Sequence, residues 1–155
     1  MTLGVRVTDE TAMDHALALA RAAQARGEVP VGAVVTDASG IVVGEGRNRR
    51  ESDVDPTGHA EVVAMREAAR TMGSWNLAGC TLVVTLEPCL MCAGALLQAR
   101  VSRLVFGAWD VKAGAAGSVY DVVRDRRLPS RAEVVSGVRE HEAAALLRDF
   151  FEGRR

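Results

Sequence analysis

Two short stretches of this sequence carry residues whose types and spacing could do chemistry. Glu87-Pro88-Cys89-Leu90-Met91-Cys92 sets two cysteines three apart, and His59-Ala60-Glu61 lies about thirty residues upstream. The spacing predicts that Cys89 and Cys92 sit just inside a helix start, with both sulfurs on one face of its first turn. Pro88 suits the first helical position, where its missing N–H would have no intrahelical partner in any case. At that end the unpaired N–H groups and the helix dipole favour negative charge, so the thiols ionise readily and bind a metal as thiolates. One His with two Cys gives three zinc ligands, and a zinc with three protein ligands keeps a fourth position for water. Glu61, two residues beyond the histidine, is a carboxylate placed to move protons. Together these residues point to a hydrolytic site.

Each motif alone is ambiguous. A C-x-x-C pair also serves as a redox dithiol or as half of a structural zinc site, and free cysteines are often simply buried. A structural zinc needs four protein ligands, and the sequence has no second cysteine pair. Cys80, His15 and His141 stand isolated, and Cys80 and His15 read as structural. The preceding proline and the distant His-x-Glu turn the reading toward catalysis.

The elements that must position these residues follow from periodicity. Thr8 to about Arg26 reads as an amphipathic helix capped by Thr8, with an apolar stripe of Ala12, Met13, Ala16, Leu17, Ala20 and Ala23 and a stop at Gly27. Val31 to Thr36 and Ile41 to Val43 read as a β-hairpin joined by Asp37-Ala38-Ser39-Gly40. Glu45 to Thr57 is polar and aperiodic, a long loop delivering the chain to His59. Gly58 to Met72 reads as a second helix, closed by Gly73. Thr81 to Leu86 is apolar on both faces, as a central strand should be. It runs directly into Glu87-Pro88-Cys89, so the cysteine motif belongs at a strand's carboxyl end, where open α/β sheets build their sites. A third helix covers Cys89 to about Ala99, a strand Arg103 to Ala108, a small-residue loop Trp109 to Ser118, a short strand Glu133 to Val138 and a last helix Arg139 to Phe151. The pattern predicts one α/β domain over residues 1–155, with a sheet of about five strands and helices on both faces.

Composition agrees. A chain of 155 residues with 48% hydrophobic content is long enough for one packed core. No run approaches the roughly 18 apolar residues of a membrane span, and no signal peptide is visible, so no membrane role and a cytoplasmic location are expected. A net charge of −1 argues against nonspecific coating of nucleic acid. Charge placement matters more: the basic residues are almost all arginine, Lys112 being the sole lysine, with clusters at Arg47/Arg49/Arg50, Arg124/Arg126/Arg127 and Arg154/Arg155. Arginine's planar fork suits bidentate phosphate recognition.

H-A-E with P-C-L-M-C is the signature of the zinc-dependent nucleobase deaminases. Within that superfamily the chain from about Met13 to Arg155 resembles the bacterial tRNA-specific adenosine deaminases, which convert the wobble adenosine (position 34) to inosine. The resemblance is carried by E-V-P-V-G-A-V from Glu28, G-R-N-R from Gly46, D-P-T-G-H-A-E from Asp55, V-T-L-E-P-C-L-M-C-A-G-A from Val84, V-F-G-A from Val105, G-A-A-G-S from Gly114 and D-F-F from Asp149. It implies a three-layer cytidine-deaminase-like fold with a central mixed sheet. It further implies one zinc per subunit held by His59, Cys89 and Cys92, with Glu61 as catalytic proton shuttle. Glu28, Val29 and Pro30 would line the pocket, Asn48 would hydrogen-bond base or ribose, and groups near Ala60 and Glu87 would orient base or water. Asp110 and Lys112 would meet ribose and phosphate, and Phe151 and Arg154 would touch the anticodon stem-loop. Trp109 stands where relatives more often carry a basic residue, so stacking is expected there in place of a phosphate contact. The resemblance also implies a homodimer. The alternatives are a zinc deaminase of a free base or nucleoside, of guanine or cytosine type, and a noncatalytic zinc- or RNA-binding module.

Overall fold

The structure is a computed structural model, and it describes residues 7–154; Arg155, grouped above with Arg154, lies outside the described residues. Its elements in chain order are α1 (Asp9–Gln24), β1 (Gly32–Thr36), β2 (Val42–Arg47), α2 (Ala60–Met72), β3 (Thr81–Leu86), α3 (Leu90–Gln98), β4 (Arg103–Ala108), β5 (Glu133–Val135) and α4 (Glu140–Glu152). The five strands form one sheet in the order β2-β1-β3-β4-β5. β1 runs antiparallel to β2 and β3, while β3, β4 and β5 are mutually parallel, so the sheet is mixed as expected.

Alternation along the strands divides the core. Ala33, Val35, Leu82, Val84, Leu104 and Phe106 face α2 and α3, whereas Val34, Val42, Val83 and Val105 face α1 and α4. Three layers result. Helix α1 buries the six-residue stripe read from sequence, and Thr8 caps it by accepting from the Thr11 N–H at 3.2 Å. His15, on the margin of that stripe, lies 2.7 Å from Glu45 of β2, a structural contact in keeping with its reading.

Several boundaries differ from the sequence reading. β2 continues to Arg47, through residues 45–47 assigned to loop, because it keeps register with β1 as far as the Gly32–Arg47 pair. Gly44 and Gly46 broke the apolar pattern for a packing reason. A Cβ on Gly44 would meet Ala64 and Ala68, and one on Gly46 would meet Ala60 and Ala64, so both glycines let α2 lie directly on the strand. That close approach fixes the helix whose first turn carries Glu61. β5 ends at Val135, short of Val138, and Gly137 at φ +81° turns the chain toward α4. Pro88 does not take the first helical position. Cys89 is the N-cap of α3 and Leu90 its first residue, because Cys89 instead bridges to Gly114 and the Pro88 carbonyl accepts the Ala115 N–H at 2.8 Å.

Candidate active site

The two motifs meet at the carboxyl end of β3. His59 caps α2 and Cys89 caps α3, neither spending its side chain on the cap, so both helix N-termini converge on one spot. His59 Nδ1 lies 3.5 Å from Cys89 Sγ and 3.4 Å from Cys92 Sγ, and all three ligand atoms fall within 4.8 Å of one another. Zinc–nitrogen and zinc–sulfur bonds of about 2.0 and 2.3 Å at a tetrahedral angle separate their donors by about 3.5 Å. The donor set and its spacing therefore fit zinc.

Without the ion, these side chains share protons. Cys89 is held down to about 4, chiefly by the hydrogen bond from Cys92, then by His59 against the opposing effect of burial. The same thiol pair drives Cys92 upward, and burial adds to it. His59 is raised, above all by its hydrogen bond to Cys89. A cation therefore competes with protons at His59 and Cys92, while Cys89 already offers a thiolate.

Glu61 is 4% exposed, and burial raises its pKa; it meets its own amide N–H and the Cys92 thiol. Glu28 and Glu87 are equally buried but differently occupied. Glu28 accepts from the Ser52 N–H at 2.7 Å and the Glu51 N–H at 3.3 Å. Glu87 accepts from Asp110 at 2.9 Å and from Ala116 and Ser118 at 3.0 Å each. Gly114 must lack a side chain here, because a Cβ would strike the Glu87 carboxylate and the Ser118 hydroxyl. Each glutamate thus pins one of the loops that flank the triad.

Above the triad opens a cavity of about 670 Å³. Glu28, Val29, Asn48, His59, Ala60, Glu61, Glu87, Cys89, Asp110, Phe151 and Arg154 all line it. Cys92 is fully buried beneath. Pro30 is buried behind the wall, and Lys112 sits exposed on a turn whose N–H groups bond the Asp110 carboxylate; neither is among the lining residues. Asn48 is fixed by donating to the Val29 carbonyl at 3.3 Å and accepting from the Arg50 N–H at 3.1 Å. Trp109 packs edge-on against Phe106, 4.9 Å between centroids, and is likewise not a lining residue. Sequence reasoning missed Gly27, Val31, Arg50, Glu51, Leu86, Ala113 and Phe150, which the fold brings to the cavity. Phe150 stacks against both Phe151 and the Arg154 guanidinium, and the D-F-F-x-x-R spacing was the only available signal for it.

The sequence pattern described as the cytidine and deoxycytidylate deaminase zinc-binding region matches residues 6–108. The chain belongs to this family. The deaminase is 48% identical over 147 residues to the tRNA-specific adenosine deaminase of Haemophilus influenzae, a match covering 95% of this chain and 85% of that one. It is 55% identical over 140 residues to the tRNA(Ile)-lysidine synthase of Deinococcus radiodurans, but spans only 24% of that protein's length. A solved structure from a study of A-to-I editing by tRNA:A34 deaminases superposes with a TM-score of 0.85 at 41% identity, over 88% of this chain and 99% of that one. The guanine deaminase of Nitrosomonas europaea gives 0.83 at 26% identity, over 96% and 87%. The deaminase therefore has the mixed-sheet, three-layer fold expected of it. No helix among the described residues is long and apolar enough to cross a membrane.

Proposed function

We propose that the chain acts as one deaminase domain in the cytoplasm, converting the wobble adenosine of a tRNA anticodon stem-loop to inosine. The observation that carries this reading is the joining of an uncommitted buried carboxylate, Glu61, with the His59–Cys89–Cys92 triad at the floor of an open cavity rimmed by Phe151 and Arg154. Its volume lies within the roughly 300–1,000 Å³ of ligand sites, and its rim has an aromatic ring for an unpaired base to stack on.

When bound by the triad, zinc acidifies a water toward neutral pH. Glu61 then holds and moves the protons. As a C6–O bond forms, Glu61 takes one proton from the attacking water and delivers it to purine N1. The water's other proton passes through Glu61 to the amino nitrogen, the C6–N bond breaks and ammonia leaves. Glu28 and Val29 wall the pocket, and Asn48, held at both ends of its amide, orients base or ribose. Ala60 and Glu87 form the surface beneath the base. Asp110 faces the ribose, Lys112 reaches phosphate from outside the cavity, and Phe151 and Arg154 meet the anticodon loop.

We further propose a homodimer over the α2–α3 face. Leu90 and Trp75 are 53% and 67% exposed there, and Val62, Met65, Ala95 and Ala99 line an apolar groove between the helices. A molar mass of one chain by light scattering would exclude it.

The test is inosine formation in an anticodon stem-loop RNA with adenosine at the wobble position, beside free adenosine, cytidine and guanine. Conversion of the RNA alone, lost on chelation, is expected. Conversion of guanine or a free nucleoside instead would overturn the RNA reading and favour the guanine-deaminase likeness. No turnover of any substrate by the zinc-loaded protein would favour a noncatalytic module.

A further inference from the structure

A group of guanidiniums at the sheet edge borders the site described above, and of them only Arg50 lines its cavity. Arg47 ends β2, the edge strand, Arg49 and Arg50 follow it toward His59, and Arg26 lies in the turn after α1. Arg47 and Arg49 are half-buried, and the Nε of each is buried without a hydrogen-bond partner. Of the carboxylates nearby, Glu45 pairs with His15, Asp55 with Arg66, and Glu28 holds the Glu51 and Ser52 amides, while Asp53 acts on Arg47 by its charge without forming an ion pair with it among the described residues. Burial lowers the pKa of Arg47, and the charges of Arg49 and Arg26 lower it further, against Asp53 and Glu28. Like charges gathered and partly desolvated are costly unless an anion joins them.

The group is continuous with the cavity. Arg50 lines the mouth, and Arg154 donates to the carbonyl of Gly27, the neighbour of Arg26, at 2.7 Å. Net charge is only −1, so a basic track here is a local feature and not the overflow of a basic protein. We infer that Arg26, Arg47 and Arg49 bind phosphodiester groups of the RNA strand leading away from the target nucleotide, a track from the sheet edge to the cavity mouth. Guanidinium forks match phosphate oxygens bidentately. The inference rests on the RNA-deaminase reading: a free base would have no backbone to lay there.

Equilibrium binding of the product stem-loop, with inosine already at the wobble position, separates recognition from turnover. The Arg47→Gln/Arg49→Gln protein should bind it on the order of tenfold more weakly. Its log affinity should fall less steeply with log salt, by roughly 0.7–0.9 per lost phosphate contact. Zinc content and saturated turnover of the substrate stem-loop should stay at the wild-type level. Unchanged affinity and salt slope overturn the track. If the double variant does not fold, the wild-type protein decides by phenylglyoxal modification read by mass spectrometry. Arg47 and Arg49 should be protected by product RNA and not by inosine nucleoside, and equal labelling with and without RNA overturns the inference. Failure of the deaminase reading looks different, since the wild-type protein would then form no inosine in any RNA.

Discussion

Glu61 and Glu87 are the same residue type, buried to the same degree at 4% and 2% exposure, and both line one cavity, yet their surroundings differ. Glu87 accepts three backbone N–H groups from residues 110, 116 and 118, so its oxygens are spoken for. Glu28, also a lining residue, accepts two. Glu61 meets only its own amide and the Cys92 thiol, and burial raises its pKa. A buried carboxylate surrounded by fixed donors organises a loop, while one left short of donors stays free to exchange protons. Burial alone therefore does not distinguish these two carboxylates; the number of fixed donors around each does.

The largest effect that would test this contrast is on turnover. Glu61→Gln should lower the rate of inosine formation by roughly 10²–10⁴-fold, with zinc content by metal analysis unchanged; retained activity would remove Glu61 from the chemistry. Glu87→Ala should act through structure, stranding three amides, that of Ala116 buried and those of Asp110 and Ser118 part-buried, at a cost of about 3 kcal/mol. Hydrogen exchange should then accelerate at residues 110, 116 and 118, while the triad still takes up zinc. Glu28→Ala strands two amides, so about 2 kcal/mol is expected, with faster exchange confined to residues 51 and 52.

The smallest effect has a sign opposite to these losses. The Glu61 pKa is raised in the folded state, so the protonated form is favoured by folding. Below the unfolded value, about 4.3, this contribution to stability is fully present. As pH rises toward the folded value it is lost, because the unfolded chain gives up its proton first. Metal-free Glu61→Gln should therefore match the wild type at low pH and become the more stable protein as pH approaches neutrality, measured by urea unfolding with chelator. A parallel decline for both proteins would mean that Glu61 is not the poised group. Metal uptake should weaken as pH falls, because His59 is raised and protons compete for it and for Cys92; proton release on zinc titration checks this.

The chemistry was legible because its spacings are local. His-x-Glu and Pro-Cys-x-x-Cys each fit within one helix turn, so residue type and helix geometry alone bring the sulfurs together and set Glu61 beside its histidine. The stripe of α1 and the run Thr81–Leu86 were legible for a similar reason, since period and burial coincide in them. Where local pattern and packing part company, the sequence reading slipped. β2 hides behind two glycines that only the closeness of α2 explains, and Pro88 is drawn out of its helix by pairing with the loop around Gly114 and Ala115. The uses of Glu28 and Glu87 were not legible either, because their partners lie more than twenty positions away and become neighbours only once the sheet is formed. By itself, the sequence determined the grouping of His59, Cys89 and Cys92, the carboxylate set beside them and the layered fold, through short-range geometry and hydrophobic period. Only the tertiary structure decided which carboxylates are spent on backbone, which remains free, and that Gly27, Arg50, Leu86 and Phe150 share one cavity, because those contacts exist only when distant strands and helices pack.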